Sequence, residues 1–148
     1  MSLEVVQKWV SDCVLNHDGC RKGCTDTSYV PSRLIDPREP NENCRRIRIT
    51  ERRASQRAKY ISLSYRWGDV EPLNLTSATF QHFRSGPPIY ELPRTFRDVT
   101  QIAGLLEIRY IWINSLCIQQ DSLQDWKRES ILMRNLYVNS YCAVVAAC

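Results

Sequence analysis

From residue 60 onward, short apolar runs alternate with amphipathic stretches. Tyr60-Ile61-Ser62-Leu63-Ser64-Tyr65 and Tyr110-Ile111-Trp112-Ile113 are β-branched and aromatic runs of strand length, and a smaller apolar run spans Tyr141 to Ala147. Between the first two, Phe96, Val99, Ile102, Ala103 and Leu106 recur at helical spacing behind Pro93, which suits a first helical turn. After the second, Trp126, Ser130, Met133, Leu136 and Tyr137 mark one face of a helix, and Ser122-Leu123-Gln124-Asp125 supplies its N-capping groups. The order β-α-β-α-β predicts an α/β fold, an open, mostly parallel sheet with flanking helices.

Upstream the pattern changes. Leu3, Val6, Trp9, Val10, Cys13 and Val14 form an amphipathic stripe that predicts a docking helix over residues 3–15. Residues 28–43 carry Pro31, Pro37 and Pro40 among few apolar positions and read as an extended connection. Residues 44–50 alternate Ile with Arg, as in a short edge strand whose arginines face water, and 51–59 read as a charged loop. A loop over 69–92 contains a short helix near Ser77 to Phe83. The organisation expected is a helical, Cys/His-containing N-terminal extension over 1–43, followed by an α/β domain over 44–148.

Composition narrows the classes. In 148 residues, 43% hydrophobic and 24% charged, there is enough apolar material for one packed core. No apolar window reaches membrane-span length and no signal-peptide core is present, so the chain is read as cytoplasmic, with no membrane partner. Seven cysteines cannot all pair with one another, which favours thiols or metal ligands over disulfides. Cys13, His17, Cys20 and Cys24 fall in a C-x3-H-x2-C-x3-C spacing that matches no standard zinc finger, and Cys44 competes as a fourth donor; local packing at a helix end is preferred to zinc. The net charge of +4 is concentrated between Arg33 and Lys59, with nine Lys/Arg against four Asp/Glu. Few aromatics interleave this stretch, so a solvated basic face is preferred to a nucleic-acid site.

Candidate chemistry sits where the strands end, because ligands of open α/β sheets bind beyond the carboxyl ends of the strands. The first exit offers Tyr65, Arg66, Trp67 and Gly68, and the second Asn114, Ser115, Cys117, Gln119 and Asp121, with Trp126 close behind. The N-terminus of the helix opening near Asp125 points towards both exits, which suits an anionic or phosphate-bearing ligand. Arg66 is the candidate phosphate partner, and Trp67, Trp112 and Trp126 are candidates for stacking on a base, with Trp112 preferred in the core. Cys117 as a nucleophile lacks a nearby histidine and is expected to be buried.

Tyr60 to Gly68 (YISLSYRWG), Leu92-Pro93-Arg94-Thr95-Phe96-Arg97-Asp98, and Arg109 to Asp121 followed by Trp126, Glu129, Met133 and Tyr137 resemble, in order and spacing, the fungal heterokaryon incompatibility (HET) domain. Trp9, Cys13, His17, Cys20 and Pro31-Ser32-Arg33-Leu34-Ile35-Asp36 are similar to the segment that often precedes it. One departure is Asn114, where the family usually carries Asp. The resemblance implies a cell-death effector of non-self recognition in filamentous fungi. It also implies that the family continues past residue 148, so the chain is read as a C-terminally truncated copy. Ser64-Tyr65-Arg66-Trp67-Gly68 and Trp126-Lys127-Arg128-Glu129 more distantly resemble Toll/interleukin-1 receptor (TIR) domains, of TIR- or flavodoxin-like fold, some of which cleave NAD+ with a glutamate. On that analogy NAD+ is a candidate substrate, with Glu129 the first catalytic candidate and Asp121 the second. The competing expectation is a non-catalytic module that binds protein partners or itself through an exposed sheet edge.

Overall fold

The computed structural model describes residues 3–20, 29–37, 46–51, 58–66 and 73–146. Five strands, β1 (Arg33–Asp36), β2 (Arg48–Glu51), β3 (Tyr60–Tyr65), β4 (Tyr110–Ile113) and β5 (Cys142–Ala146), form one open sheet in the order β2-β1-β4-β3-β5. β4, β3 and β5 run parallel, as the alternating pattern predicts, while β1 is antiparallel to both β4 and β2. Among the described residues the helices that frame the sheet are α1 (Leu3–Asn16), α2 (Phe80–Ser85), α3 (Arg94–Leu105), the single turn α4 (Asn114–Cys117) and α5 (Leu123–Val138). Among the described residues no helix is long and apolar enough to cross a membrane.

The two-residue period of β3 and β4 sorts their side chains onto opposite faces. On one face Tyr60 donates through Oη to the Leu136 carbonyl at 2.5 Å, Ser62 donates to the Ser140 hydroxyl, and the Trp112 ring meets Tyr137 edge-on, so α5 covers that side. On the other, the Tyr65 ring stands edge-on to Phe96 at 5.1 Å, which seats α3. Ile61, Leu63, Ile111, Ile113 and Trp112 are all essentially inaccessible between these layers. This is the layered packing that apolar strands flanked by amphipathic helices must adopt.

β1 departs from expectation. Residues 28–43 read as a connection, yet Arg33–Asp36 is buried along its whole length and lies between β2 and β4. Its charged ends are neutralised inside the fold: Asp36, 1% exposed, takes a two-pronged contact from Arg109, and Arg33 pairs with Asp125. Arg33 therefore does not belong to the solvated basic face expected for this stretch. Arg48 does face water on edge strand β2 while Ile47 and Ile49 are buried, as the alternation predicts. Against β2 lies the end of α2, where Gly86 is left-handed at φ 89°; an added Cβ there would also press on the Ile47 carbonyl at 3.2 Å.

α1 docks more loosely than its stripe suggests. None of residues 4–16 is buried, and Trp9 is exposed; Val6, Val10, Cys13 and Val14 carry the inward face instead.

Candidate functional site

The two polar exits meet. β3 and β4 are parallel with Leu63 opposite Ile113, so Tyr65 extends past the end of β4 and donates its hydroxyl to Ser115 Oγ at 2.9 Å. Ser115 is fully buried in α4, and its carbonyl accepts the Leu75 N–H at 2.7 Å. The Leu75 carbonyl in turn accepts the Gln120 N–H at 2.8 Å, which fastens the segment around Leu75 over the exit of β4. Asp121 completes the fastening: Oδ2 accepts the Ser77 N–H at 2.9 Å and the Ser77 hydroxyl, while Oδ1 accepts Gln119 Nε2 at 3.0 Å.

Behind this layer lies an internal ionic cluster. Ser122 caps α5 by accepting the Asp125 N–H at 3.2 Å, which fixes Asp125 in the first turn and Glu129 one turn later on the same inward face. Two stacked carboxylates repel unless cations intervene. Arg33 reaches across from β1 with a two-pronged contact to Asp125, at 2.7 and 2.9 Å, and also donates to the Cys117 carbonyl at 3.0 Å. Arg128 bridges the pair, from Nη2 to Asp125 and from Nε to Glu129 Oε1 at 3.1 Å. The Gln119 N–H adds a further bond to Asp125. Glu129 is only 3% exposed. Two buried polar atoms beside it, Tyr29 Oη and Arg33 Nε, have no hydrogen-bond partner among the described residues, and Arg33 Nε stands 4.0 Å from Glu51 Oε1.

The local electrostatics follow from this geometry. Burial pushes the Tyr29 hydroxyl up to about 12, and the negative charge of Glu129 adds to the effect. Burial likewise pushes the Cys117 thiol up to about 12, which favours the protonated form at neutral pH. For Asp125, burial acts upward, but the bonds from Arg33 and Gln119 and the charges of Arg33 and Arg128 together hold the carboxyl below its ordinary value. Asp121 is held at about 2, chiefly by the Ser77 hydroxyl and N–H.

The model of the family described as heterokaryon incompatibility protein (HET) matches residues 60–148. The chain belongs to the HET family. The match opens at β3 and takes in α3, β4, α5 and β5, the elements that build both exits. No curated protein and no solved structure matches the chain.

Of the residues the sequence singled out in this HET domain, Tyr65, Ser115, Gln119 and Asp121 share one hydrogen-bonded layer, and Cys117 and Glu129 lie in or against the ionic cluster. Asn114 is half-buried and serves through its carbonyl, which accepts the Ile118 N–H. Trp126 is 51% exposed and Arg66 lies at the surface, both open to a ligand or partner, whereas Trp112 is core, as expected. Trp67 and Gly68 lie outside the described residues, as do Cys24 and Cys44. Sequence reasoning missed Tyr29, Arg33 and Asp125 as site residues. Arg33 stood within the Pro31 to Asp36 segment that carries the family likeness, and Asp125 stood in the capping sequence, but nothing in either stretch points to the other. A cleft of about 620 Å3 lined by Thr100, Gly104, Ile108 and Arg109 opens at the entry to β4, the opposite end from this site.

Acid should loosen the HET domain through these carboxylates. Both aspartates have folded values below their unfolded ones, so their contribution is fully present above about pH 4 and is lost as pH falls through the folded values, towards about pH 2 for Asp121. Denaturation midpoints measured from neutral pH downward should fall within that window, with a shallower fall in Asp121→Asn. A midpoint constant down to pH 2 would contradict this account.

Proposed function

We propose that this HET domain is a cell-death effector of non-self recognition and that it acts by association, its strand-exit carboxylates holding the exits together rather than performing chemistry. The observation that carries this reading is the placement of Glu129: 3% exposed, bonded to Arg128 and packed behind the Asp125–Arg33 pair. Asp121, the other catalytic candidate, is engaged by Ser77 and Gln119. The surfaces left for association include the outer edge of β5, where Val145 is 68% exposed, and the exposed Trp126 beside the exits.

A second reading rests on Tyr29 Oη, since a buried polar group with no hydrogen-bond partner among the described residues often marks a functional site. In that reading the HET domain cleaves NAD+, with Glu129 stabilising the oxocarbenium-like transition state after a local opening admits the substrate.

Expression of the chain in fungal cells, beside Glu129→Gln and Val145→Lys versions shown by circular dichroism to be folded, separates the two. Death with NAD+ content unchanged, abolished by Val145→Lys, is the expected result. Loss of NAD+ that disappears in Glu129→Gln would replace association with catalysis. Survival of cells holding the folded wild-type chain would overturn the effector role.

A further inference from the structure

The last turn of α1 gathers metal-binding donors that the strand-exit site does not use. Cys13 and His17 are four residues apart, and the His17 N–H donates to the Cys13 carbonyl at 3.0 Å, so the helical path continues and both side chains project from one face. A further turn brings Cys20 back to the same place. The donor atoms of Cys13, His17 and Cys20 all lie within 4.8 Å of one another, with His17 Nδ1 at 3.4 Å from Cys13 Sγ and the two sulfurs at 3.0 Å. Neither cysteine is in a disulfide. Zinc holds thiolate at about 2.3 Å and imidazole at about 2.0–2.1 Å, so donors around a tetrahedral ion stand roughly 3.5–3.8 Å apart. The imidazole is already near that distance from Cys13 Sγ and within 4.8 Å of Cys20 Sγ, and the sulfurs need to part by under about 1 Å.

We propose that Cys13, His17 and Cys20 bind a zinc ion. The sequence spacing alone favoured local packing, because it fits no standard finger; the geometry supplies what the spacing lacked, one convergence point on a helical turn. A role follows from the weak seating of α1. None of residues 4–16 is buried, and Val10, Cys13, Val14 and Cys20 line a cavity of about 240 Å3 with Val138, Ser140 and Cys142, at the junction of α5 and β5. An ion held in the last turn of α1 and the turn after it rigidifies the one end of α1 that meets this junction.

The full chain purified under reducing conditions from zinc-supplemented cells should carry about one zinc per molecule, and Cys13→Ser or Cys20→Ser should lose nearly all of it. Cys142→Ser, in the same cavity but outside the cluster, should keep it. The wild-type chain decides the matter if these variants fail to fold: after zinc removal, cobalt(II) should give thiolate-to-metal charge-transfer bands and the intense visible absorption of a tetrahedral site. Absence of those bands in folded wild-type protein would overturn the assignment. So would retention of zinc in the folded double variant Cys13→Ser, Cys20→Ser, or isolation of a metal-free chain in which peptide mapping finds Cys13 joined to Cys20 in a disulfide.

Discussion

Arg33→Ala is expected to destabilise the HET domain by about 3–5 kcal/mol, the cost of leaving a buried charge without its partner. Folded domains are stable by only roughly 5–15 kcal/mol, so the variant should sit close to unfolding at physiological temperature. Arg33 is 7% exposed and supplies both prongs of the contact to Asp125 as well as the bond to the Cys117 carbonyl, so alanine removes three hydrogen bonds from the interior at once. Arg128 still reaches Asp125, which places the expected loss nearer the lower end of that range. Arg128 itself is 55% exposed in its side chain, but Asp125 and Glu129 are 8% and 2% exposed in theirs, so its replacement by alanine takes a partner from buried carboxylates and should cost about 1–3 kcal/mol, more than an ordinary surface pair. Lysine at position 33 keeps the charge but not the two-pronged geometry and should fall between these values. Urea denaturation of the three variants gives the order directly. An Arg33→Ala domain within about 1 kcal/mol of the parent would show that Arg128 alone can neutralise Asp125.

Trp112→Ala should cost a similar amount, about 3–5 kcal/mol, by a different physical route. Trp112 lies in β4, 1% exposed, with its ring edge-on to Tyr137 at 5.8 Å, so truncation opens a cavity between sheet and α5 that neighbouring side chains fill only in part. Trp126→Ala is the contrasting case. Half of that side chain already meets water, and its loss should change stability by no more than about 0.5 kcal/mol. If Trp126→Ala instead unfolded the protein and Trp112→Ala did not, the assignment of the two rings to surface and core would be wrong. Thermal denaturation followed by near-ultraviolet circular dichroism reports both.

The parallel part of the sheet was legible because its signals are local. β3, β4 and β5 are short apolar runs, α3 and α5 carry 3.6-residue stripes, and the capping role of Ser122 can be read from four consecutive residues. β1 was not legible. Four residues with Arg at one end and Asp at the other, between Pro31 and Pro37, look like a solvated connection unless the partners are known, and those partners, Asp125 and Arg109, stand 92 and 73 residues away. The ionic cluster is hidden for the same reason: the family likeness singles out Glu129, but Arg33 and Asp125 are remote from each other along the chain and join it in a site only when β1 enters the sheet. The turn α4 was missed because Asn114 and Ser115 signal a loop in isolation; the Ser115 bonds to Tyr65 and Leu75 give the turn a tertiary reason to form.

The placement of β1 also sets a timetable for synthesis. An antiparallel ribbon with β2 can close as soon as Glu51 has emerged, but the other side of β1 needs β4, and Arg33 finds Asp125 only when that residue emerges, 74 residues after Glu51. At roughly 5–20 residues per second that is a delay of about 4–15 s. Through that interval the ribbon carries an unpaired inner strand, with Leu34 and Ile35 exposed between two hydrated charges. Nascent chains stalled before β4 should therefore be the species most exposed to chaperones, and Arg33 and Asp36, structural in the finished domain, act during translation as the ribbon's own protection against premature pairing.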